Sequence, residues 1–218
     1  MPPQRKSAIF VDFDNIYIGL RQLDPLVAEE FATNPSRWLQ WIERMEHGAD
    51  FETSAPAARR ILMRHCYLNP RAFGRYRTDF SRAGFRVIEC PSMTRQGKSS
   101  TDIQLVIDVL DTLGHATHFD EFILLSADAD FTPLLQRLRV HDRQTVVVSV
   151  GPASPAYRNA ADILVPEDEF VSVALGGLRA PLSALAGPSD PDAESTLDDM
   201  ARALVEALRE EGNLSPAH

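Results

Sequence analysis

Short runs of β-branched and aromatic residues alternate with segments of helical periodicity along most of this chain, and this alternation constrains the fold more than any other feature. The predicted strands span residues 8–11, 60–67, 85–89, 121–125, 145–150 and 163–165, and the predicted helices span 16–23, 35–45, 71–83, 102–113, 131–141 and 155–160. Runs such as FILLS and TVVVSV are apolar on both faces, as in a parallel sheet covered by helices on each side. The sequence therefore predicts a three-layer α/β/α sandwich with a mainly parallel sheet.

The periodic pattern ends near residue 175. The stretch GGLRAPLSALAGPSDPD contains residues that extend neither a helix nor a strand, so residues 176–193 are predicted as a flexible linker. Residues 194–218 predict an amphipathic helix, whose apolar stripe consists of Leu197, Met200, Ala201, Leu204, Val205 and Leu208. Because one helix cannot bury its own stripe, we expect it to dock on the main domain, residues 1–175, or to begin a second module.

Cysteine content and hydropathy indicate the cellular compartment of the protein. Cys66 and Cys90 lack the spacing of a metal site, so both are expected to be reduced core residues. No apolar stretch approaches the roughly 18 residues of a membrane span, and the first seven residues do not resemble a signal peptide. We therefore expect a cytoplasmic protein without a membrane partner.

Charge is segregated along the chain. The formal net charge of −9 argues at first against a polyanionic partner. Between Arg59 and Lys98, however, ten basic residues stand against two acids, whereas residues 24–52 and 183–218 are acidic. This basic segment is compatible with nucleic-acid binding, although arginines on ordinary solvated helix faces would give the same count.

Acidic side chains follow several predicted strands directly. Asp12 and Asp14 end the first strand, Asp128 and Asp130 follow the strand FILLS, and Asp102 occupies the first turn of a helix. Ligands of open parallel sheets bind beyond the carboxyl ends of the strands, so these acids are expected at one edge. A cluster of carboxylates requires protons or cations to neutralise it, and an all-oxygen set suits Mg²⁺ or Mn²⁺. The pattern thus indicates metal-dependent phosphodiester cleavage.

Each polar residue of this set also has a structural alternative. Asp102 can favour a helix dipole, and Asp128 and Asp130 can cap the helix that follows them. Asn15 is a candidate for orienting Asp12 or contacting substrate, and Ser126 for hydrogen bonding to a carboxylate, but purely structural roles fit both residues equally well. Asp108 lies about 240° around the helix from Asp102, so we expect it on another face.

Two basic segments are candidates for contacts with a nucleic acid. Arg95 and Lys98 form a glycine-containing loop just before Asp102, where a lysine could meet a substrate phosphate. The GKSS sequence there lacks the first glycine of a P-loop, which excludes that class of nucleotide-binding site. Arg71, Arg75 and Arg82 alternate with Phe73 and Tyr76, a pattern that suits either a nucleic-acid face or core aromatics.

Three blocks of the sequence carry a family resemblance. FVDFDN at residues 10–15, GKSSTDIQLVIDVLD at 97–111 and FILLSADADFTPLLQRLR at 122–139 resemble the NYN domain family, related to PIN-like nucleases, in the family's order. With AYRNAADILV at 156–165, the middle block is similar to bacterial NYN proteins that carry a C-terminal LOTUS (OST-HTH) winged-helix domain. The helix from Ser195 onward resembles the first helix of such a module, cut short.

The resemblance implies a PIN-like fold, an RNA substrate, and a Mg²⁺- or Mn²⁺-dependent ribonuclease, which we expect to be an endonuclease. Position by position, it matches Asp12, Asp102, Asp128 and Asp130 to the family's acids, Asn15 to the polar residue of the first block and Asp108 to a further acid of the middle helix. It also makes homodimerisation an expectation, as well as protein or RNA partners through the LOTUS-like segment. One departure from the family is an acidic insert at residues 25–56, which could lid the site or form a partner surface.

The leading hypothesis assigns roles to these residues. Asp12, Asp102 and Asp128 ligate the metal, Asp130 helps to hold metal or water, and Lys98 with Arg95 receives the phosphate backbone. Two other hypotheses remain. A non-catalytic RNA-binding adaptor would keep the fold and bind RNA in EDTA. A phosphatase of the haloacid dehalogenase type would use Asp12 as a covalent nucleophile and Asp14 as an acid, because DFDNI resembles the opening of its motif.

Overall fold

A six-stranded parallel sheet forms the centre of the protein. The computed structural model describes residues 4–45, 59–91 and 100–177. The strands are β1 (Arg5–Asp12), β2 (Arg59–Leu68), β3 (Arg86–Glu89), β4 (Glu121–Leu125), β5 (Gln144–Val148) and β6 (Ile163–Val165). They lie in the order β3-β2-β1-β4-β5-β6, and every pair of neighbours is parallel. All six predicted strands are therefore confirmed, with ends that differ by at most three residues.

Helices flank the sheet and connect its strands. They are α1 (Phe13–Leu23), α2 (Pro25–Thr33), α3 (Pro35–Arg44), α4 (Pro70–Phe73), α5 (Arg77–Arg82), α6 (Thr101–Leu113), α7 (Thr132–Val140), α8 (Pro155–Ala160) and α9 (Glu167–Glu169), which continues into the π-helical turn Phe170–Ala174. The single helix predicted over residues 71–83 is instead α4, a 3₁₀ turn at Gly74–Tyr76, and α5. Glycine disfavours the helix interior, and the break falls at Gly74.

The two faces of the sheet carry separate cores, because successive side chains of a strand point to opposite sides. Val11, Leu125 and Val148 pack against α1, α2, α3 and α5, whereas Phe10, Leu124 and Val147 pack against α6, α7 and α8. This arrangement confirms the three-layer α/β/α fold. Cys66 and Cys90 are both buried and free, as expected.

The first part of the predicted insert belongs to one of these core layers. Asp24 accepts a hydrogen bond from the backbone nitrogen of Leu26 at 2.8 Å and thereby caps α2, a helix that the sequence analysis missed. Phe31 of α2 and Trp38 of α3 are fully buried, and the Trp38 Nε1 donates to the Phe31 carbonyl at 3.0 Å. Residues 25–45 therefore help to build the domain and do not form a lid. Residues 46–56 lie outside the described residues.

The predicted end of the main domain, near residue 175, almost coincides with the end of the described residues, so the domain boundaries stay predictions. The described residues all belong to the unit Met1–Leu178, and the predicted linker beyond residue 177 and the helix at 194–218 lie outside them. Within the described part of the chain, the helices are too short or too polar to cross a lipid bilayer.

The order of the strands creates a crevice beside β1. From β1 the chain winds outward through β2 and β3 on one side and returns to place β4, β5 and β6 on the other. The connections after β1 and β4 therefore leave the sheet in opposite directions, and parallel α/β folds bind their ligands at such a switch point, beyond the carboxyl ends of the strands. Asp12 ends β1, and Ser126 directly follows β4.

Candidate metal centre at the carboxyl edge of the sheet

Asp12 lies at the centre of the carboxyl edge, by which we mean the edge where the parallel strands end. Its side chain accepts hydrogen bonds from the Asn15 backbone nitrogen at 3.4 Å, as the N-cap of α1, and from the Ser126 Oγ at 3.2 Å. Only 4% of the residue is exposed. Burial, together with the negative charges of Asp102 and Asp14, raises the pKa of Asp12 from 3.8 to about 7.

Ser126 links the acids that follow β1 and β4. Its buried Oγ donates to Asp12 and accepts from the Asp128 backbone nitrogen at 3.2 Å, and its carbonyl accepts from the Tyr157 hydroxyl at 3.0 Å. Asp128 in turn accepts from the Asp130 nitrogen at 2.9 Å and caps the 3₁₀ turn Ala129–Phe131. The structural alternative thus describes Asp128 correctly, yet its backbone nitrogen also donates to the same Ser126 hydroxyl that donates to Asp12.

Asp102 joins this group through its charge. It occupies the first turn of α6, the helix that packs on the same face of the sheet as Phe10 and Tyr67. Partial burial raises the pKa of Asp102, and the negative charges of Asp128 and Asp130 raise it further. Asp102 in turn raises the pKa of Asp12. The acids after β1, at the start of α6 and after β4 are therefore close enough for their charges to affect one another.

The carboxylates are near one another but are not gathered around a single point. Within residues 4–45, 59–91 and 100–177, no three Asp, Glu, His or Cys side chains are placed so that one ion could bind all of them. Mg²⁺ commonly takes only one or two protein carboxylates and completes its shell with water and phosphate oxygens, so this all-oxygen edge fits such an ion.

Asn15 and Asp14 fasten α1 to the neighbouring strands. The Asn15 Oδ1 accepts from the Ala127 backbone nitrogen at 2.9 Å, and the Asp14 Oδ1 accepts from the Asn69 nitrogen at 3.1 Å. Burial, opposed by that hydrogen bond, raises the pKa of Asp14, with Asp102 adding to the increase. A substrate contact by Asn15 stays a prediction, because its amide oxygen is already engaged within the protein.

Asp108 lies in a separate hydrogen-bonded group, as its angular position on the helix indicates. It accepts from the Tyr67 hydroxyl at 2.7 Å and from the Gln104 Nε2 at 2.8 Å, and its carboxylate is 3.9 Å from the His65 Nδ1. These contacts tie α6 to β2. The sequence analysis did not identify Tyr67, although a polar aromatic residue at the end of a buried strand was the available signal.

The structure describes only some of the basic residues that were predicted to contact nucleic acid. Arg95 and Lys98 lie outside the described residues. Tyr76 is buried and Phe73 packs against the core, so the core alternative is correct for these aromatics. Arg75 lies over the Tyr76 ring at 4.6 Å and pairs with Glu29 at 3.1 Å.

Comparisons with known proteins agree with this architecture. A crystal structure of a protein of unknown function from Vibrio parahaemolyticus RIMD 2210633 superposes with a TM-score of 0.55 at 19% identity, covering 76% of this chain and 94% of that one, and so shares its fold. No curated protein matches the chain. The family model of the NYN domain, a family generally made up of nucleases with a PIN-like fold, matches residues 6–168, and the chain therefore belongs to the NYN domain family.

Proposed function

We propose that this protein is a metal-dependent ribonuclease that hydrolyses RNA phosphodiester bonds at the carboxyl edge of its sheet, as an endonuclease. One observation carries the proposal: the Ser126 hydroxyl bridges Asp12 and the backbone of Asp128 at the switch point between β1 and β4. Membership of the NYN domain family supports a nuclease and a nucleic-acid substrate.

The acids suit a cation with a phosphate better than a nucleotide cofactor. Dinucleotide-binding sheets with this strand order place a glycine-rich turn after the first strand, where backbone N–H groups meet the pyrophosphate. Here that turn contains Asp12 and Asp14, which would repel a phosphate unless a cation lay between them. A cation at this edge therefore explains how a chain with acids there could act on a polyanion.

The residues have distinct roles in this proposal. One or two of Asp12, Asp102 and Asp128 would ligate Mg²⁺ or Mn²⁺ directly and the others through its bound waters, and Asp130 would orient a ligand water. Such an ion supplies a more acidic bound water and neutralises charge that develops on the phosphoryl oxygens. Ser126 keeps Asp12 and Asp128 in position, and Asn15 fixes the start of α1 against the segment after β4. Arg95 and Lys98 are proposed contacts for the RNA backbone.

The decisive experiment compares two aspartates of the same helix. Purified wild type, Asp102→Asn and Asp111→Asn are incubated with end-labelled single-stranded and hairpin RNAs in Mg²⁺, Mn²⁺ or EDTA, and the product ends are mapped. Asp111 is an exposed residue in the last turn of α6 and serves as the matched control. We expect internal cuts by wild type and Asp111→Asn with metal only, and none by Asp102→Asn.

Other outcomes would identify the alternatives. Tight RNA binding by wild type in EDTA, without cleavage under any condition and unchanged in Asp128→Asn, would replace the nuclease with a non-catalytic adaptor. An acyl phosphate trapped on Asp12 would indicate phosphatase chemistry. Homodimerisation and a LOTUS-type module at residues 194–218 stay predictions, to be tested by light scattering and by the structure of that segment.

A further inference from the structure

An open groove adjoins the acids on the α1 side of the carboxyl edge. Its volume is about 560 Å³, within the range of about 300–1,000 Å³ that is usual for small-molecule sites. Its walls include Asn15, Ile18, Gln22 and Leu23 of α1, Pro152 of the loop after β5, and Glu167 of α9.

The groove and the acidic edge share Asn15. Asn15 and Ala127 line the groove, and the Asn15 Oδ1 accepts a hydrogen bond from the Ala127 nitrogen. The Asn15 backbone nitrogen also donates to Asp12. A polymer with one phosphate at the acids would therefore pass Asn15 and place its next group in the groove.

The floor and rim of the groove are apolar. Gly19 lets α1 approach the segment that follows β5 closely, because a Cβ there would lie 3.0 Å from the Val150 Cγ1. Ile18 and Leu23 are 48% and 51% exposed at the rim and offer apolar surface to a bound group. Among the described residues that line the groove, none is basic, so its chemistry suits a nucleobase better than a phosphate. Unpaired bases are commonly held between apolar side chains.

A fixed carboxylate supplies a polar contact for the edge of a base. The Glu167 Oε2 accepts from the Gly151 nitrogen at 2.6 Å, and Gly151 has the positive φ of +99° that favours glycine. A carboxylate accepts hydrogen bonds from exocyclic amino groups, such as N4 of cytosine. It repels the carbonyl oxygen O4, which uracil carries in place of that amino group.

From these contacts we infer that the groove receives one unpaired, amino-bearing nucleobase of single-stranded RNA, with cytosine favoured over uracil. This inference rests on the proposed function, because the acids must engage the adjacent phosphate. The groove would give the enzyme a preference for single strands, since a paired base cannot leave its helix without losing its stacking and pairing.

Binding measured in Ca²⁺, an oxygen-binding ion that can balance the acids, tests the groove separately from cleavage, and gels of the bound oligomers check that they stay intact. Fluorescence anisotropy of the full chain is recorded with labelled oligo-C, oligo-U and an abasic ribose-phosphate oligomer. Leu23→Ser should weaken oligo-C binding about tenfold and leave the abasic oligomer unchanged, because it removes apolar contact with the base. Leu26→Ser removes a 63% exposed leucine outside the groove and should bind like wild type. Glu167→Gln should reduce the preference for oligo-C over oligo-U about fivefold.

Several results would overturn the inference: equal binding of the three oligomers by wild type, equal effects of Leu23→Ser and Leu26→Ser, or an unchanged base preference in Glu167→Gln. A parallel cleavage assay with Mn²⁺ separates the two proposals. Cleavage by wild type with the same base preference in Leu23→Ser would remove the groove and keep the nuclease. Base-dependent binding without any cleavage would keep the groove and remove the nuclease.

Discussion

Buried carboxylates at the two edges of the sheet have neighbours of opposite charge. At the amino edge, where the strands begin, Glu121 is fully buried, yet it receives two hydrogen bonds from Arg59 at 2.6 and 2.7 Å and one from the Ser7 Oγ at 2.6 Å. Burial by itself raises the pKa of Glu121, but Arg59 and Ser7 outweigh it and hold this pKa below its usual range. The charge of Glu121 is therefore balanced within the protein.

At the carboxyl edge, Asp12 is almost equally buried but has other acids as charged neighbours. Its hydrogen bonds from Asn15 and Ser126 do not offset burial and the charges of Asp102 and Asp14, and its pKa rises to about 7. Burial alone thus does not determine whether the pKa of a carboxyl group rises or falls. The charges and hydrogen-bond donors beside the group determine the direction. The paired acid is expected to stabilise the fold, whereas we propose that the unbalanced acids at the switch point bind a cation.

The largest expected effect comes from neutralising the unbalanced edge. Asp12→Asn keeps a side-chain oxygen for Ser126 but removes the charge proposed to hold the metal. We expect RNA cleavage to fall on the order of 1,000-fold, equivalent to about 4 kcal/mol of transition-state stabilisation. Single-turnover cleavage in Mn²⁺ measures the effect, and thermal unfolding confirms the fold. Unchanged cleavage would remove Asp12 from the proposed centre.

The equivalent change at the balanced edge should affect stability. Glu121→Gln leaves the Arg59 guanidinium buried without a countercharge, and we expect the free energy of unfolding to fall by about 3 kcal/mol. Urea denaturation measures the loss. Arg5→Gln is the control, because Arg5 is partly exposed and 3.7 Å from Glu121, and its loss should cost below about 1 kcal/mol. Equal losses of unfolding free energy in the two variants would contradict the larger contribution expected of the buried Arg59–Glu121 pair.

The pH dependence of stability should also differ in sign between the edges. The folded pKa of Asp12 exceeds its unfolded value of 3.8, so its contribution to stability is present at low pH and is lost as pH rises from about 4 to 7. The folded pKa of Glu121 is lowered below 4.5, so its contribution is present above that pH and is lost as pH falls.

A metal ion should reverse the loss at the carboxyl edge alone. At pH 8, where Asp12 is charged, Mn²⁺ at 100 times its dissociation constant should stabilise wild type by about 2.7 kcal/mol, because the ion binds only the folded state. The gain should shrink at pH 5, where protons compete, and should vanish in Asp12→Asn but persist in Glu121→Gln. Calorimetric melting with and without Mn²⁺ measures it. An equal gain in Asp12→Asn would place the ion elsewhere.

The smallest effect concerns the residue that positions the acids. Ser126→Ala removes the hydroxyl that links Asp12 with the Asp128 backbone, and we expect Mn²⁺ affinity to fall about 10- to 100-fold, as for other residues that orient metal ligands. Titration calorimetry measures the affinity. Ser149→Ala is the matched control, since Ser149 follows β5 and its buried hydroxyl has no hydrogen-bond partner among the described residues. The same loss in both variants would contradict a positioning role for Ser126.

Particular residues show why prediction worked better for strands than for helices. The runs of β4 and β6 were predicted to the residue, because apolar residues on both faces leave few alternatives to a buried strand. The helix α2 was missed, since its start depends on the Asp24 cap and its apolar residues find their partners far along the chain. The break at Gly74 was missed although glycine disfavours the interior of a helix.

The sequence by itself determined the alternation of strands and helices and the placement of acids directly after β1 and β4, because both are local properties of the chain. It also carried the blocks that identify the NYN domain family. Only the tertiary structure decided the partners. The strand order brings Arg59 to Glu121 across 62 positions and Ser126 to Asp12 across 114. The energy of a buried charge depends on what lies within a few ångströms, which no local pattern specifies.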